Sequence, residues 1–336
     1  MVNVLLALPL SQEFVDRLEA VAPGVHVIHA TPLLRQLIRG DLPEDPVVVR
    51  RAEDEAADLL PQCEVLVGLA RFPARALQWA PNLRWIAATS AGVDKLAPEV
   101  AERVVLTNGT GLGAEPIAEH VICSLMMLSR GSQVYLRQQV EHKWQRGYQA
   151  REISGLTMGV IGMGSIGRAV ARRARGLGMR VIGVRRSVDG LQQDPDADEM
   201  CPPSNLEHVL SNSDAVVLAT PLTSETRKLI GAPQLAAMKR GAILINIARG
   251  AVVDDGALLD ALNNGHLGGA ALDVFAPEPL PADSALWDAP NVIITPHCAS
   301  STDRYDERVS QLMSDNLRRY VNGEPLRNVV DFNRGY

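Results

Sequence analysis

Three charged side chains follow apolar segments in the last third of the chain, and together they have the chemistry needed to reduce a keto acid. Arg249 follows AILINIA, Glu278 lies in LDVFAPEPLP and His297 follows NVIITP. An arginine fork can hold a carboxylate and polarise the adjacent carbonyl. Histidine exchanges protons near neutral pH, so it can supply the proton that a new alkoxide needs, and a carboxylate beside it favours the protonated ring. The three residue types predict hydride and proton addition to a small 2-keto acid.

Each of these side chains also has an ordinary structural interpretation. Arg249 could cap a helix or pair with a nearby acid such as Asp254, and Glu278 could be an exposed loop carboxylate. His297 taken alone could be a hydrogen-bonded structural histidine. Their positions after successive predicted strands favour the catalytic interpretation, because ligands of open α/β sheets bind outside the carboxyl ends of the strands.

A glycine-rich turn gives the context for that chemistry. The sequence GVIGMGSIGRAVARRARGLGMRVIGV places the turn of residues 162–167 after a β-branched strand and before a helix, and a second strand follows near Met179. This order is the strand–turn–helix–strand context of a dinucleotide site, in which the helix N-terminus attracts phosphate. The alternative is a glycine-rich turn without a ligand. The residues predicted to hold the dinucleotide here are Gly162, Met163, Gly164, Ser165, Ile166 and Gly167.

The second strand of this unit predicts which dinucleotide is bound. A site selective for NAD(H) usually has an acidic residue at the end of this strand, where it holds the ribose 2′-hydroxyl. Here MRVIGV ends in Arg185, Arg186 and Ser187. Arginine attracts a 2′-phosphate, and serine can add a donor. The sequence therefore predicts a preference for NADP(H). The alternative is that both arginines face solvent and that NAD(H) is accepted without an acidic clamp.

Short apolar runs alternate with helical patterns along most of the chain, which predicts parallel sheets covered by helices. A first series of strands is expected at residues 2–8, 25–30, 64–69, 83–89 and 104–107, with helical patterns at 11–21 and 50–60. A second series is expected at residues 157–161, 180–184, 215–219, 242–247, 269–274 and 292–294. Residues 302–322 are again helical in pattern. The polar, proline-containing segment 188–203 is predicted to be an exposed loop.

Residues 115–145 lie between the two series and are helical in pattern, so a long helix bridging two domains is expected here. The apolar residues of this segment exceed what one face of an isolated helix needs, which favours a homodimer built around it. The alternative is that they fill the core of their own domain. These residues are Val121, Ile122, Leu125, Met126 and Leu128.

Bulk composition sets the remaining limits. A chain of 336 residues predicts two domains, and a formal net charge of -6 argues against a nucleic-acid partner. The apolar N-terminus reads as a first strand and not as a signal peptide, and no apolar run reaches the length of a membrane span. No C-x-x-C pair occurs, so we expect no metal site, reduced thiols and a cytoplasmic location. The four cysteines are Cys63, Cys123, Cys201 and Cys298.

Five blocks in order along the chain resemble the D-isomer-specific 2-hydroxyacid dehydrogenase family. They are GVIGMGSIGR, ATPLTSETRKLI, INIARGAVVDDGAL, GAALDVFAPEPLP and ITPHCA, and the earlier TSAGVDKL and AEPIAEH also fit. The resemblance implies catalytic roles for Arg249, Glu278 and His297. It implies that the loop of Ser90, Ala91, Gly92 and Val93 offers backbone amides to the substrate carboxylate. It implies further cofactor contacts from Thr220, Pro221, Thr226, Ile247 and Ala248, and from Asp273 to the nicotinamide carboxamide.

The resemblance also implies an α/β architecture of two Rossmann-like or flavodoxin-like parallel-sheet domains. The dinucleotide-binding Rossmann domain, expected at residues 108–297, is inserted into a discontinuous substrate domain at residues 1–107 and 298–336. The terminal NRGY, the stretch PLPADSALWDAPNVIITPH and Trp144 are similar to NADPH-linked glyoxylate/hydroxypyruvate reductases. Dimerisation through residues 115–145 is implied as well, and Trp144 would then extend toward the substrate site of a second subunit.

Some alternatives stay open at the level of sequence. Arg71 follows a predicted strand and could recognise a distal polar group of the substrate, although a surface arginine is an equally good interpretation. A regulator that senses the dinucleotide without turnover could use the same fold. A dehydrogenase of this family could also use NAD(H) with another substrate, and formate or phosphite oxidation is possible on the same scaffold.

Overall fold

The computed structural model describes residues 1–93, 96, 98–190 and 192–332. Its contacts divide the chain into two compact units. Unit 1 comprises Met1–Leu112 and Thr302–Tyr336, and unit 2 comprises Gly113–Ser301. Unit 2 is therefore inserted between two parts of unit 1. Each unit is built on a parallel sheet with helices, which confirms the predicted fold class. The terminal NRGY and two residues of TSAGVDKL, Asp94 and Lys95, lie outside the described residues.

Unit 1 has a five-stranded parallel sheet in the order β2-β1-β3-β4-β5. Its strands are β1 (Val2–Leu6), β2 (Val25–His29), β3 (Val65–Gly68), β4 (Trp85–Ala88) and β5 (Val105–Thr107). Its first helices are α1 (Gln12–Glu19), α2 (Pro32–Arg39), α3 (Pro46–Leu59) and α4 (Pro98–Ala101). Local sequence sets where α1 to α3 begin, because Ser11, Thr31 and Asp45 each cap a helix N-terminus with a side-chain oxygen.

Unit 2 has an eight-stranded sheet in the order β13-β12-β11-β10-β6-β7-β9-β8, and all neighbours are parallel except β8 and β9. Its strands are β6 (Thr157–Ile161), β7 (Arg180–Val184), β8 (Gln192–Asp194), β9 (Ala197–Cys201), β10 (Ala215–Leu218), β11 (Ile243–Asn246), β12 (Gly269–Leu272) and β13 (Val292–Ile294). Its helices are α5 (Ala114–Arg130), α6 (Ser132–Val140), α7 (Ser165–Gly176), α8 (Leu206–Asn212), α9 (Ala232–Ala237) and α10 (Asp255–Asn263).

The last helix, α11 (Tyr305–Val321), returns to unit 1. Its apolar face is buried with the first strand and first helix of the chain through Val309, Met313 and Leu317. The Tyr320 ring stacks on Trp85 at a centroid distance of 5.3 Å, and its hydroxyl donates to Glu64 at 2.6 Å. These contacts complete the core of unit 1 with residues from the far end of the chain.

The segment 188–203 is not the exposed loop that its polar composition predicts. It forms β8 and β9, and β9 extends the unit 2 sheet beyond β7. The polarity is misleading because Arg168 binds the carboxylates of Asp194 and Asp196 at 2.8 and 2.9 Å. The apolar minority of the segment, including Met200 and Cys201, is buried in or beside the core.

Residues 115–145 do not form one long helix. Helix α5 ends where Gly131 takes a left-handed conformation with φ 73°, α6 ends at Val140, and the chain is irregular after it. Both helices belong to unit 2. Val121, Leu125 and Leu128 are buried in the core of that unit. These three therefore fill the core of their own domain, as the alternative interpretation predicts, and are not available to a partner.

In the part of the chain that the structure describes, no helix has both the length and the apolar composition required to cross a membrane.

Candidate active site

The glycine turn of unit 2 has the geometry of a phosphate cradle. Gly162 follows β6 with φ 107°, a left-handed value that a side chain rarely adopts. A Cβ on Gly167 would lie 2.1 Å from the Gly162 carbonyl oxygen, so only glycine allows α7 to pack this closely on the turn. A Cβ on Gly164 would meet no described atom within 4 Å. That open position precedes the α7 N-terminus and leaves room for a pyrophosphate, so the turn fits a dinucleotide.

Arg249 is positioned by a turn that follows β11. Asn246, which is buried, accepts from the Ala248 amide at 3.1 Å and donates to the Arg249 carbonyl at 3.1 Å. The next residue, Gly250, lies against the chain beyond β12, because a Cβ there would be 2.0 Å from the Phe275 carbonyl carbon. The half-buried guanidinium donates from Nη1 to the Ala248 carbonyl at 2.8 Å. Sequence reasoning missed Asn246, although its place at the strand end was a usable signal.

His297 and Glu278 are in direct contact. Nδ1 of His297 lies 2.9 Å from Oε2 of Glu278, and Oε1 of the same carboxylate accepts from the Phe275 amide at 3.0 Å. His297 has φ 52°, a left-handed conformation that is uncommon outside glycine. Since the carboxylate occupies Nδ1, Nε2 is the ring nitrogen that can exchange a proton with a substrate.

Asp273 anchors the chain on the C-terminal side of His297. It is buried directly after β12 and accepts from the Thr295 hydroxyl at 2.6 Å and from the amides of Cys298 and Ala299 at 2.9 and 3.0 Å. These bonds fix the orientation of the carboxylate to which the resemblance gives the carboxamide contact. Thr295, which lies 3.4 Å from His120 Nε2, was not singled out from the sequence.

The three residues after β7 are exposed, as a contact with a bound 2′-phosphate requires. Arg185 begins this segment, and its amide donates to the Cys201 carbonyl at 3.0 Å. Arg186 forms an ion pair with the exposed Glu225 at 3.6 Å. Both arginines thus follow β7, the strand next to β6 and its glycine turn, at the carboxyl edge of the sheet.

The remaining predicted cofactor residues follow β10 and β11. Thr220 is half-buried and Pro221 is exposed, whereas Ile247 and Ala248 are buried. The Thr226 hydroxyl lies within its own loop, where it donates to the Pro221 carbonyl at 2.7 Å and accepts from the Thr223 amide at 2.7 Å. Thr226 therefore shapes the loop after β10.

In unit 1, the predicted carboxylate-binding residues follow β4. The Ser90 carbonyl accepts from the Gly109 amide at 2.8 Å, the Ala91 carbonyl from Asn108 Nδ2 at 3.1 Å, and the Gly92 carbonyl from the Ser90 hydroxyl at 3.1 Å. In a trans peptide the N–H points opposite to the C=O. The three amides that follow these carbonyls therefore point away from the protein groups that hold the loop, as an anion site requires.

The two remaining predicted substrate contacts lie in different units. Arg71 is half-buried and follows β3, the strand next to β4, so it lies at the same sheet edge as Ser90. Trp144 belongs to unit 2, lies in the irregular segment after α6 and is 93% exposed. In the described part of the chain, no hydrogen bond, ion pair or ring contact joins Trp144 to Arg249, Glu278 or His297.

Comparison with known protein families assigns the region that carries most of these residues to one family. The sequence model described as "D-isomer specific 2-hydroxyacid dehydrogenase, NAD binding domain" matches residues 122–299. A glyoxylate reductase of Korarchaeum cryptofilum is 36% identical over 299 residues, which cover 86% of this chain and 86% of that protein.

Two further matches agree with this assignment. The glyoxylate/hydroxypyruvate reductase B of Pectobacterium carotovorum is 40% identical over 266 residues, which cover 76% of this chain and 81% of that protein. A crystal structure of a D-isomer specific 2-hydroxyacid dehydrogenase from Xanthobacter autotrophicus, in complex with NADPH and MES, superposes with a TM-score of 0.79 at 31% identity. It covers 100% of this chain and 99% of that one.

Proposed function

Because this chain belongs to the D-isomer-specific 2-hydroxyacid dehydrogenase family and is an oxidoreductase with an NAD(P)-binding domain, we propose that it reduces a small 2-keto acid with NADPH. The substrate class is that of glyoxylate and hydroxypyruvate, and the product is the D-2-hydroxy acid. The names of two relatives, a glyoxylate reductase and a glyoxylate/hydroxypyruvate reductase B, support this choice. The observation that carries it is the 2.9 Å contact between His297 Nδ1 and Glu278 Oε2 beside the Arg249 turn.

Each of the three charged residues of unit 2 has its own role in the proposed reaction. When bound, the nicotinamide supplies the hydride. The Arg249 guanidinium holds the substrate carboxylate and carbonyl, and its charge stabilises the negative oxygen that forms in the transition state. Nε2 of His297 donates a proton to that oxygen. Glu278 holds Nδ1, so it fixes the ring orientation that leaves Nε2 for the proton transfer.

Unit 1 offers a separate candidate set of donors for a substrate carboxylate. The amides that follow the carbonyls of Ser90, Ala91 and Gly92 would bind it, since backbone N–H groups in series form an anion site. Arg71 follows the neighbouring strand and would contact the distal group of a larger substrate. Arg71 would therefore distinguish the two substrates, because hydroxypyruvate has a distal hydroxyl group and glyoxylate has no distal group.

The cofactor preference rests on the residues after β7. Arg185, Arg186 and Ser187 would bind the 2′-phosphate, and an acidic residue that would repel it is missing from these three positions. The Xanthobacter autotrophicus relative is described in complex with NADPH, which agrees with this choice. The measurement is kcat/KM for NADPH and NADH with one good keto acid, and a ratio above one is expected. A ratio favouring NADH would refute the preference.

We also propose a homodimer that uses α5, α6 and the segment after α6. Large apolar side chains are exposed there, and burying them against a second copy would be favourable. They are Met126, Tyr135, Leu136, Val140 and Trp144. Trp144 would extend toward the substrate site of the second subunit. Sedimentation at micromolar concentration is expected to give a dimer, and a monomer would contradict this assembly.

One assay tests the proposed function. Purified chain is mixed with NADPH and a panel of 2-keto acids, with formate and phosphite tested in the oxidative direction with NADP⁺. Turnover of glyoxylate or hydroxypyruvate is expected. Dinucleotide binding without turnover of any panel member would favour the sensing role, and turnover of formate or phosphite alone would favour the other chemistry.

The expected location is the cytoplasm, and the four cysteines are free, as reduced thiols there would be.

A further inference from the structure

A group of three potential metal ligands lies in unit 2 at the carboxyl end of β9. Glu199 and Cys201 are two residues apart on this strand, so their side chains point to the same face of the sheet. His208 lies in α8, the helix that follows. The sequence predicts no metal site because it has no C-x-x-C pair. The fold brings a thiol, a carboxylate and an imidazole together from a different spacing.

The distances among the ligand atoms match a small coordination sphere. Glu199 Oε1 lies 3.6 Å from Cys201 Sγ and 2.7 Å from His208 Nε2. All three ligand atoms lie within 4.8 Å of one another. Tetrahedral zinc, with bonds of about 2.3 Å to sulfur and about 2.1 Å to oxygen, separates those two atoms by about 3.6 Å. The sulfur–oxygen edge thus already matches, whereas the oxygen–nitrogen distance has to lengthen from 2.7 Å to about 3.4 Å when both atoms bind the metal.

A salt bridge orients the carboxylate of the cluster and places a positive charge beside it. Arg180 donates to Oε2 of Glu199 at 2.7 Å, which orients the carboxylate and leaves Oε1 facing the thiol and the imidazole. Ligating carboxylates in metal sites are usually held in this way. Cys201 is fully buried, the Glu199 side chain is 16% exposed, and the His208 side chain is 43% exposed. The cluster therefore opens to solvent on the histidine side, where an ion can enter.

We propose that Glu199, Cys201 and His208 bind one zinc ion, with water as the fourth ligand. The donor set selects zinc over magnesium or calcium, because thiolate and imidazole are poor ligands for those hard cations. Burial, together with the nearby Glu199, raises the pKa of the Cys201 thiol to about 11. The free thiol is therefore protonated, and the metal displaces that proton to solvent on binding.

The other ring nitrogen of the imidazole lies beside the side-chain amide of Asn212. Nδ1 of His208 lies 3.3 Å from Asn212 Nδ2, and a metal on Nε2 requires the remaining proton to be on Nδ1. A histidine ligand usually donates that proton to a carboxylate or carbonyl. Metal binding therefore requires the Asn212 amide, whose Nδ2 also donates to the His208 carbonyl at 2.8 Å, to turn its oxygen toward Nδ1.

Cobalt is the probe for the test. Chelator-stripped protein is titrated with Co²⁺, which gives a near-ultraviolet thiolate charge-transfer band and visible bands when it binds a cysteine in a tetrahedral site. One Co²⁺ per chain is expected, displaced by Zn²⁺. Cys201→Ser is expected to abolish the charge-transfer band. His208→Ala is expected to weaken binding by more than about tenfold.

The control is Cys123→Ser, which removes the exposed thiol of α5 and leaves the cluster intact. This variant is expected to bind Co²⁺ with the wild-type spectrum. Circular dichroism and a thermal melt establish that each variant is folded, and Cys201→Ala serves if the serine variant is not. The proposal is overturned if wild-type protein gives no charge-transfer band, or if a folded Cys201 variant retains it.

Discussion

The carboxyl ends of the two sheets differ in the groups that they present. At the edge of unit 2, strands β11, β12 and β13 lead into Arg249, Glu278 and His297, whose side chains are held by hydrogen bonds or ion pairs. At the edge of unit 1, the loop after β4 is held through its carbonyls, so it presents backbone amides. Both edges could bind a carboxylate, but the loop after β4 presents amides, whereas the edge of unit 2 presents His297, whose imidazole can transfer a proton.

We therefore expect the two edges to respond differently to amino-acid substitution. A site built from side chains is lost when one side chain is replaced. A site built from amides depends on the path of the backbone, so it tolerates side-chain changes and fails when the loop is displaced. The predictions below use this contrast, beginning with the largest expected effect.

The histidine substitution tests the unit 2 edge most strongly. His297→Ala is expected to lower kcat by about 10²- to 10⁴-fold, the range typical of a lost general acid. The Kd for NADPH, measured by fluorescence titration, is expected to stay close to the wild-type value because His297 does not belong to the glycine turn. Near wild-type kcat in a folded His297→Ala protein would contradict the proposed role and remove the main difference between the two edges.

The arginine substitution tests whether geometry or charge is needed at the same edge. Arg249→Lys keeps the positive charge but loses the planar fork, and a charge-assisted hydrogen bond contributes about 1.5–3 kcal/mol. We expect kcat/KM for the keto acid to fall by up to about 10²-fold. Arg240→Lys is a control elsewhere in unit 2, and it should leave kcat/KM unchanged. Full activity of the Arg249→Lys enzyme would show that charge alone suffices.

The arginines after β7 extend the comparison to cofactor choice. The double variant Arg185→Ala, Arg186→Ala is expected to lower kcat/KM for NADPH by about 10- to 10²-fold, through lost charge-assisted bonds, with little change for NADH. Glu225→Gln is the matched control, because it breaks the ion pair with Arg186 and keeps both arginines. Equal losses with both cofactors would mean that the arginines support the loop and not the phosphate.

The smallest effect is expected in unit 1. Ser90→Ala removes one hydrogen bond to the Gly92 carbonyl, which contributes about 0.5–1.5 kcal/mol, so KM for the keto acid should change only a few fold. Gly109→Ala is the contrasting variant, because its Cβ would lie 2.3 Å from the Thr89 carbonyl oxygen and displace the loop. We expect its KM to rise more than that of Ser90→Ala. The reverse order would mean that the serine side chain, and not the backbone, binds substrate.

Some features of the fold were predictable because their causes are local. The strands β6, β7 and β13 have the predicted bounds, since each is a β-branched run between turn residues. The glycine turn was also recognisable, because the left-handed Gly162 and the crowded Gly167 leave a fixed spacing in the sequence.

Other features depended on contacts between distant parts of the chain. Val121, Leu125 and Leu128 share one helix face at the spacing i, i+4, i+7 and Met126 lies off it, but only packing decides that this face meets the core of unit 2. The segment 188–203 became two strands because Arg168, some 26 residues before Asp194, binds its carboxylates. Polar composition predicts exposure only when no partner elsewhere in the chain takes the place of water.

The sequence by itself determined the alternation of strands and helices, the glycine turn and the placement of Arg249, Glu278 and His297 after successive strands. These follow from residue periodicity and from the geometry of parallel sheets, both of which are readable over short windows. Only the tertiary structure decided that His297 meets Glu278 through Nδ1, that Gly250 packs against Phe275, and that Cys201 lies beside Glu199 and His208. Such contacts require side chains from separate elements to reach one point in space, and that depends on how the elements pack.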